Sequence, residues 1–171
     1  MTSVYSNCIE KSHSILANPH FIKKSKYQKK ISDKVSQCLT CERRCKISLG
    51  KFGYCQTRTN LDGELYTIVY GCVPDLASIR EIKDSPLLRF LTGPIAINPV
   101  ERKPLYHFHP GTATLTVGTY GCNFDCFWCQ NRHISHPKGL ISEEATLKGV
   151  FLSPEHFIKM VQKYNLSLIH I

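Results

Sequence analysis

The stretch Thr112-Ala-Thr-Leu-Thr-Val-Gly-Thr-Tyr-Gly-Cys-Asn-Phe-Asp-Cys-Phe-Trp-Cys-Gln-Asn131 joins the clearest strand signal of this chain to its densest chemistry. From Thr112 to Thr119, threonine alternates with apolar residues, the period of a strand with two different faces. Gly118 and Gly121 end it, and three cysteines follow at once. Farther on, Ser153-Pro154-Glu155 supplies a helix start: a serine cap, proline in the first turn and an acid near the positive end of the dipole. Phe157, Ile158, Val161 and Tyr164 then keep helical spacing. Strand, cysteine loop, connection and helix together read as the opening of a βα unit, so the expected class is α/β.

Outward from that stretch the chain changes character. Residues 1–35 are polar and lysine-rich, with weak helical character at best. Residues 36–111 are a cysteine-rich region with a hairpin end at Asn60-Leu-Asp-Gly63, a strand over Glu64–Tyr70, and proline-rich irregular structure from 71 to 111. Residues 112–165 carry the βα opening. The last six residues, Leu166–Ile171, are what the codons CTG TCT CTT ATA CAC ATC encode. That string matches a transposon-end adapter used in sequencing libraries, so 166–171 is expected to be a scar and the natural chain to continue; a native apolar strand is the alternative.

The 171 residues are 42% hydrophobic and 20% charged, which suits a globular chain and excludes a disordered one. No apolar run reaches the length of a membrane span, and the N-terminus lacks a signal-peptide core, so no membrane role and a cytoplasmic location are expected. Part of the +9 formal charge sits in Lys23, Lys24, Lys26, Lys29 and Lys30. Only Tyr27 interleaves that run, so it offers no base-stacking platform, and a solvated segment is the better reading than a nucleic-acid contact.

Seven of the nine cysteines fall into two groups, Cys38–Cys55 and Cys122–Cys129, while Cys8 and Cys72 stand apart as unassigned or buried thiols. In a cytosolic chain such grouping points to metal rather than disulfides. Cys122, Cys126 and Cys129 have the spacing C-x3-C-x2-C. Three thiolates on one loop suit a four-iron cluster and leave one iron without a protein ligand, and an open position is the mark of a catalytic metal centre. A zinc knuckle completed by His133 or His136 is the competing reading. Cys38, Cys41, Cys45 and Cys55 can close a tetrahedral zinc site or hold a second cluster.

The cysteine spacing, with aromatic Trp128 before the third cysteine and Gly121 before the first, resembles the radical S-adenosylmethionine (SAM) superfamily. Asn98-Pro-Val-Glu-Arg-Lys-Pro-Leu-Tyr-His-Phe-His-Pro-Gly111 is similar to a segment of the radical SAM enzymes of the AmmeMemoRadiSam system, also labelled pyruvate formate-lyase activating enzyme-like. Here Asn98 replaces an aspartate and Arg102 a lysine. The likeness spans roughly Cys38 to Tyr164. It implies the N-terminal portion of a radical SAM (partial TIM) barrel behind an irregular, β-containing metal-binding region. It implies a [4Fe-4S] cluster on Cys122, Cys126 and Cys129, SAM on the open iron, and Trp128 against the adenine. It also implies a reductant such as flavodoxin or ferredoxin, and hydrogen abstraction from a protein or small-molecule substrate, in the manner of a glycyl-radical activase or otherwise. Cys38, Cys41, Cys45 and Cys55 are expected to hold Zn2+ or an accessory cluster. His107 and His109 are expected to be packed histidines, and Glu101, Arg102 and Lys103 to form structural ion pairs. The SAM methionyl and ribose sites lie downstream in the family, so these residues alone are expected to bind a cluster poorly and not to catalyse. The function alternative is a two-site zinc module with a basic, nucleic-acid-contacting N-terminus.

Overall fold

The structure, a computed structural model, describes residues 19–74, 95–136 and 149–170. Its lysine-rich opening is strand, not weak helix: β1 (Lys23–Lys24) and β2 (Gln28–Ser32) are followed by β3 (Val35–Cys38) and β4 (Lys46–Ser48). β2, β3 and β4 form one antiparallel sheet. β5 (Arg58–Leu61) and β6 (Glu64–Thr67) make the expected hairpin, with β1 on the outer edge of β6. Asp62 and Gly63 turn it with φ of 56° and 80°, the two-residue geometry whose twist matches antiparallel strands. β6 ends at Thr67, short of Tyr70.

These strands, with residues 120–136 and the short helix α1 (Arg132–Ser135), make one compact unit. One of its hydrophobic clusters is Cys38, Ile47 and Leu65 with Cys45 packed on them, and Phe21, Ile68, Val69, Tyr120 and Ile134 are buried as well. Burying each Ile or Leu contributes about 1.5–3 kcal/mol against the entropy of ordering the chain. Polar groups also join the sheets. Asn60, fully buried, donates from Nδ2 to the Ile47 carbonyl at 2.8 Å and the Lys34 carbonyl at 3.3 Å. Ser36 donates to the Gly63 carbonyl at 2.5 Å, and the Leu65 N–H donates to Gln28 Oε1 at 2.6 Å.

The second unit comprises residues 71–74, 95–119 and 149–170. β7 (Cys72–Pro74) pairs antiparallel with β10 (Gly149–Phe151). β9 (Ala113–Val117) lies between β8 (Ile95–Pro99), antiparallel, and β11 (Leu168–His170), parallel. Helix α2 (Pro154–Lys163) starts where Ser153-Pro154 predicts, with Ser153 in extended conformation, and none of its residues is buried.

The α/β, partial TIM-barrel expectation is overturned. Among the described residues the chain forms four small sheets, three of them wholly antiparallel, and two short α-helices. A barrel needs repeated parallel strands, each followed by a covering helix. The physical reason lies in the strand first quoted. Alternating threonine and apolar residues is the pattern of a sheet with unlike faces, common in antiparallel pairs, whereas barrel strands read as near-continuous apolar runs. β8, inside the stretch read as irregular, supplies the antiparallel neighbour.

Candidate metal centre

Three tight turns of the first unit carry the cysteines. Cys38 ends β3, and its N–H bonds the Cys45 carbonyl at 2.9 Å, drawing the ends of the 38–45 loop together. Within that loop the Arg44 N–H returns to the Cys41 carbonyl at 3.2 Å, with Arg44 at φ 48°. A second turn, closed by the Gln56 N–H on the Gly53 carbonyl at 2.9 Å, carries Cys55. It lies against the first: a Cβ on Gly53 would sit 3.0 Å from Ile47 Cδ1 and 3.8 Å from Cys45 Cβ.

The third turn begins at Gly121, whose φ of 85° is open to glycine and costly for other residues. A Cβ there would lie 2.5 Å from the Cys55 carbonyl oxygen, so the cysteine loop begins in backbone contact with the second turn. The Cys129 N–H closes onto the Cys126 carbonyl at 3.1 Å, and Arg132 pairs with Asp125 at 2.7 Å. That pair is half exposed, so it adds little stability.

Cys38, Cys41, Cys45, Cys55 and Cys122 line one cavity of ≈ 320 Å³, with Arg43 on its wall. The structure thus gathers the four cysteines of the first group and adds Cys122 to them. Cys126 and Cys129 do not line it. Among the described residues no three His, Cys, Asp or Glu side chains are close enough to enclose an ion as they stand. Two views of one site meet here: five thiols share a cavity, yet they are spaced wider than Zn–S bonds of about 2.3 Å require. In residue type, four thiols on two adjoining turns match the ligand set of a tetrahedral zinc site.

Polar groups lie beside several of the sulfurs. Cys55 Sγ lies 3.2 Å from the Thr57 hydroxyl, and the Cys38 thiol donates to the Thr40 hydroxyl at 3.4 Å. The Phe124 N–H donates to Cys122 Sγ at 3.4 Å, and Cys129 Sγ sits 3.5 Å from the Ser135 hydroxyl. His136 Nδ1 also reaches the Ser135 hydroxyl, at 3.1 Å, so a serine stands between this histidine and Cys129. Cys41, Cys45, Cys55, Cys122, Cys126 and Cys129 are part-exposed free thiols. Trp128 is 71% and Phe127 86% exposed, edge to face with centroids 4.3 Å apart. An exposed indole beside the third cysteine is free to take a flat ring.

The remaining candidates lie in the second unit or outside the described residues. His107 and His109 are exposed rather than packed. Glu101 Oε1 accepts the Gly111 N–H at 2.7 Å, and this bond holds its carboxyl below the usual range. Arg102 donates to Asn98 Oδ1 at 3.0 Å, and among the described residues neither Glu101 nor Arg102 forms the expected ion pair. Cys72 is buried, and burial pushes its thiol up to about 11, which suits an inert structural thiol. Cys8 lies outside the described residues. Sequence reasoning missed Thr57 and Ser135 as parts of the site. Only their nearness to cysteines along the chain hinted at them.

The chain is 32% identical over 146 residues to "Uncharacterized protein MJ0808" of Methanocaldococcus jannaschii. The likeness covers 84% of this chain and 36% of that protein, so the chain spans about a third of its relative's length. No family model matches the chain, and no solved structure does. No helix among the described residues is long and apolar enough to cross a membrane.

Proposed function

We propose that this chain is the cluster-bearing part of a radical SAM protein of the AmmeMemoRadiSam type, working in the cytoplasm. The observation that carries the reading is the Cys122–Cys129 loop. It presents three part-exposed thiols at C-x3-C-x2-C spacing, two of them with polar partners at sulfur, beside an exposed Trp128. When bound there, a [4Fe-4S] cluster supplies the electron that cleaves SAM reductively and releases a 5′-deoxyadenosyl radical. The chain's own part is to present three thiolates, with Trp128 placed to stack on the adenine. A flavodoxin or ferredoxin is the proposed electron donor, and the substrate is a protein glycine or a small molecule.

Cys38, Cys41, Cys45 and Cys55 are proposed to hold structural zinc. Their shared cavity supports this, since four thiols on two adjoining turns match a tetrahedral zinc ligand set and a bound metal adds folding energy.

Iron, sulfide and zinc measured together on anaerobically purified protein test both assignments. The expected result is about four irons per chain, lost when Cys122, Cys126 and Cys129 are changed to alanine, with one zinc retained. Zinc at both sites and no iron would reject the radical SAM reading in favour of a zinc module. In that case nucleic-acid affinity that falls steeply with salt would identify the ligand of the basic strands.

A further inference from the structure

We propose that the Cys38–Cys55 group is the platform on which the Cys122–Cys129 loop is built, with Arg43 as the positioning residue that joins them, so that metal at the first group controls loading of the second. The four-iron side of this inference rests on the function proposed above.

Arg43 lies on the turn between Cys41 and Cys45. Its Nε donates to the carbonyl of Asn123, a residue 80 positions away and next to Cys122. Its guanidinium carbon lies over the Tyr54 ring, 3.5 Å from the centroid, and Tyr54 precedes Cys55. One side chain therefore touches the neighbour of a cysteine in the second and third turns while sitting on the first. A guanidinium can stack by its face and donate by its edge at once, which an ammonium cannot do with the same geometry. Independently, Gly121 meets the Cys55 carbonyl so closely that no Cβ fits. Cys122 then lines the same cavity as the first four thiols.

Metal bound by Cys38, Cys41, Cys45 and Cys55 would immobilise the two turns that carry Arg43 and the Cys55 carbonyl. Both contacts to residues 121–123 are then held in place before the second site is loaded. The ordering of the loop is shared with the first binding event, and affinity at the second site rises, which is positive coupling between sites.

The test uses the full chain as wild type, Arg43→Ala, Arg43→Lys and Gly121→Ala, with zinc as the first probe. Backbone hydrogen exchange of residues 121–124 is followed before and after zinc, and iron uptake is then titrated. In the wild type, zinc alone is expected to slow exchange in this segment. Arg43→Ala and Gly121→Ala are expected to keep zinc, lose that slowing, and bind iron about 10- to 100-fold more weakly, as outer-sphere variants do. Arg43→Lys falls between. Unchanged exchange on adding zinc, wild-type behaviour of Arg43→Ala, or loss of zinc together with iron in Arg43→Ala would each overturn the coupling; so would a wild type that binds no zinc. If the wild type takes up no iron, the radical SAM reading fails, and the zinc-dependent exchange still decides whether the two groups are coupled.

Discussion

Replacing Asn60 by alanine should loosen the scaffold of the metal centre without touching a cysteine. The Asn60 amide is fully buried and bonds the Ile47 carbonyl at 2.8 Å and the Lys34 carbonyl at 3.3 Å, joining the hairpin of β5 and β6 to the neighbouring sheet. Alanine leaves the Ile47 carbonyl without this donor, at a cost of about 1–3 kcal/mol; the longer bond adds about 0.5–1 kcal/mol. Against this, Asn60 Oδ1 is itself buried with no partner among the described residues, and removing it returns about 1 kcal/mol. The net loss is about 2 kcal/mol, a large share of the 5–15 kcal/mol typical of a whole domain. A urea titration followed by circular dichroism should show the midpoint falling by about 1–2 M for a chain of this size. Asn60→Asp should cost more at neutral pH, because it aims a charged acceptor at two carbonyls. Burial would raise the folded pKa of that aspartate above its unfolded value near ~3.9. Its relative stability is therefore best below the unfolded pKa and is lost as pH rises through the folded one, so the gap to wild type should narrow on acidification. An alanine midpoint within about 0.3 M of wild type, or Asp and Ala variants alike at all pH values, would refute the reasoning.

Two further outcomes follow from the second unit and its thiol. Cys72, raised to about 11 by burial, should resist alkylation of the native metal-free chain at pH 8 (about three units below that value), while the six part-exposed cysteines react; mass-spectrometric mapping that finds Cys72 labelled alongside them would contradict the burial. The Glu101 carboxyl, held low by the Gly111 N–H, should protect that amide above the usual carboxylate range and release it as pH falls through the lowered pKa. Glu101→Gln should abolish the pH dependence of Gly111 exchange, and a dependence that survives in that variant would place its origin elsewhere.

Local chemistry is legible in the chain itself. Asp62-Gly63 specifies its hairpin because two positive φ angles are needed and those residues tolerate them. Ser153-Pro154 specifies the start of α2 because proline's missing N–H has no helical partner there. The threonine alternation marks β9 but not its neighbours, since a period of two describes one strand and says nothing about which strand pairs with it. That is how an α/β barrel is expected where β8 in fact joins β9 antiparallel.

The candidate site divides in the same way. Cysteine type and spacing by themselves name the candidate ligands, because ligand chemistry is a property of side chains and short loops. Only the tertiary structure decided that Cys122 joins the first cysteine group at one cavity, with Gly121 against the Cys55 carbonyl and Arg43 reaching the Asn123 carbonyl. Contacts across 80 residues depend on how the intervening sheets pair, and no local pattern in the chain encodes that distance.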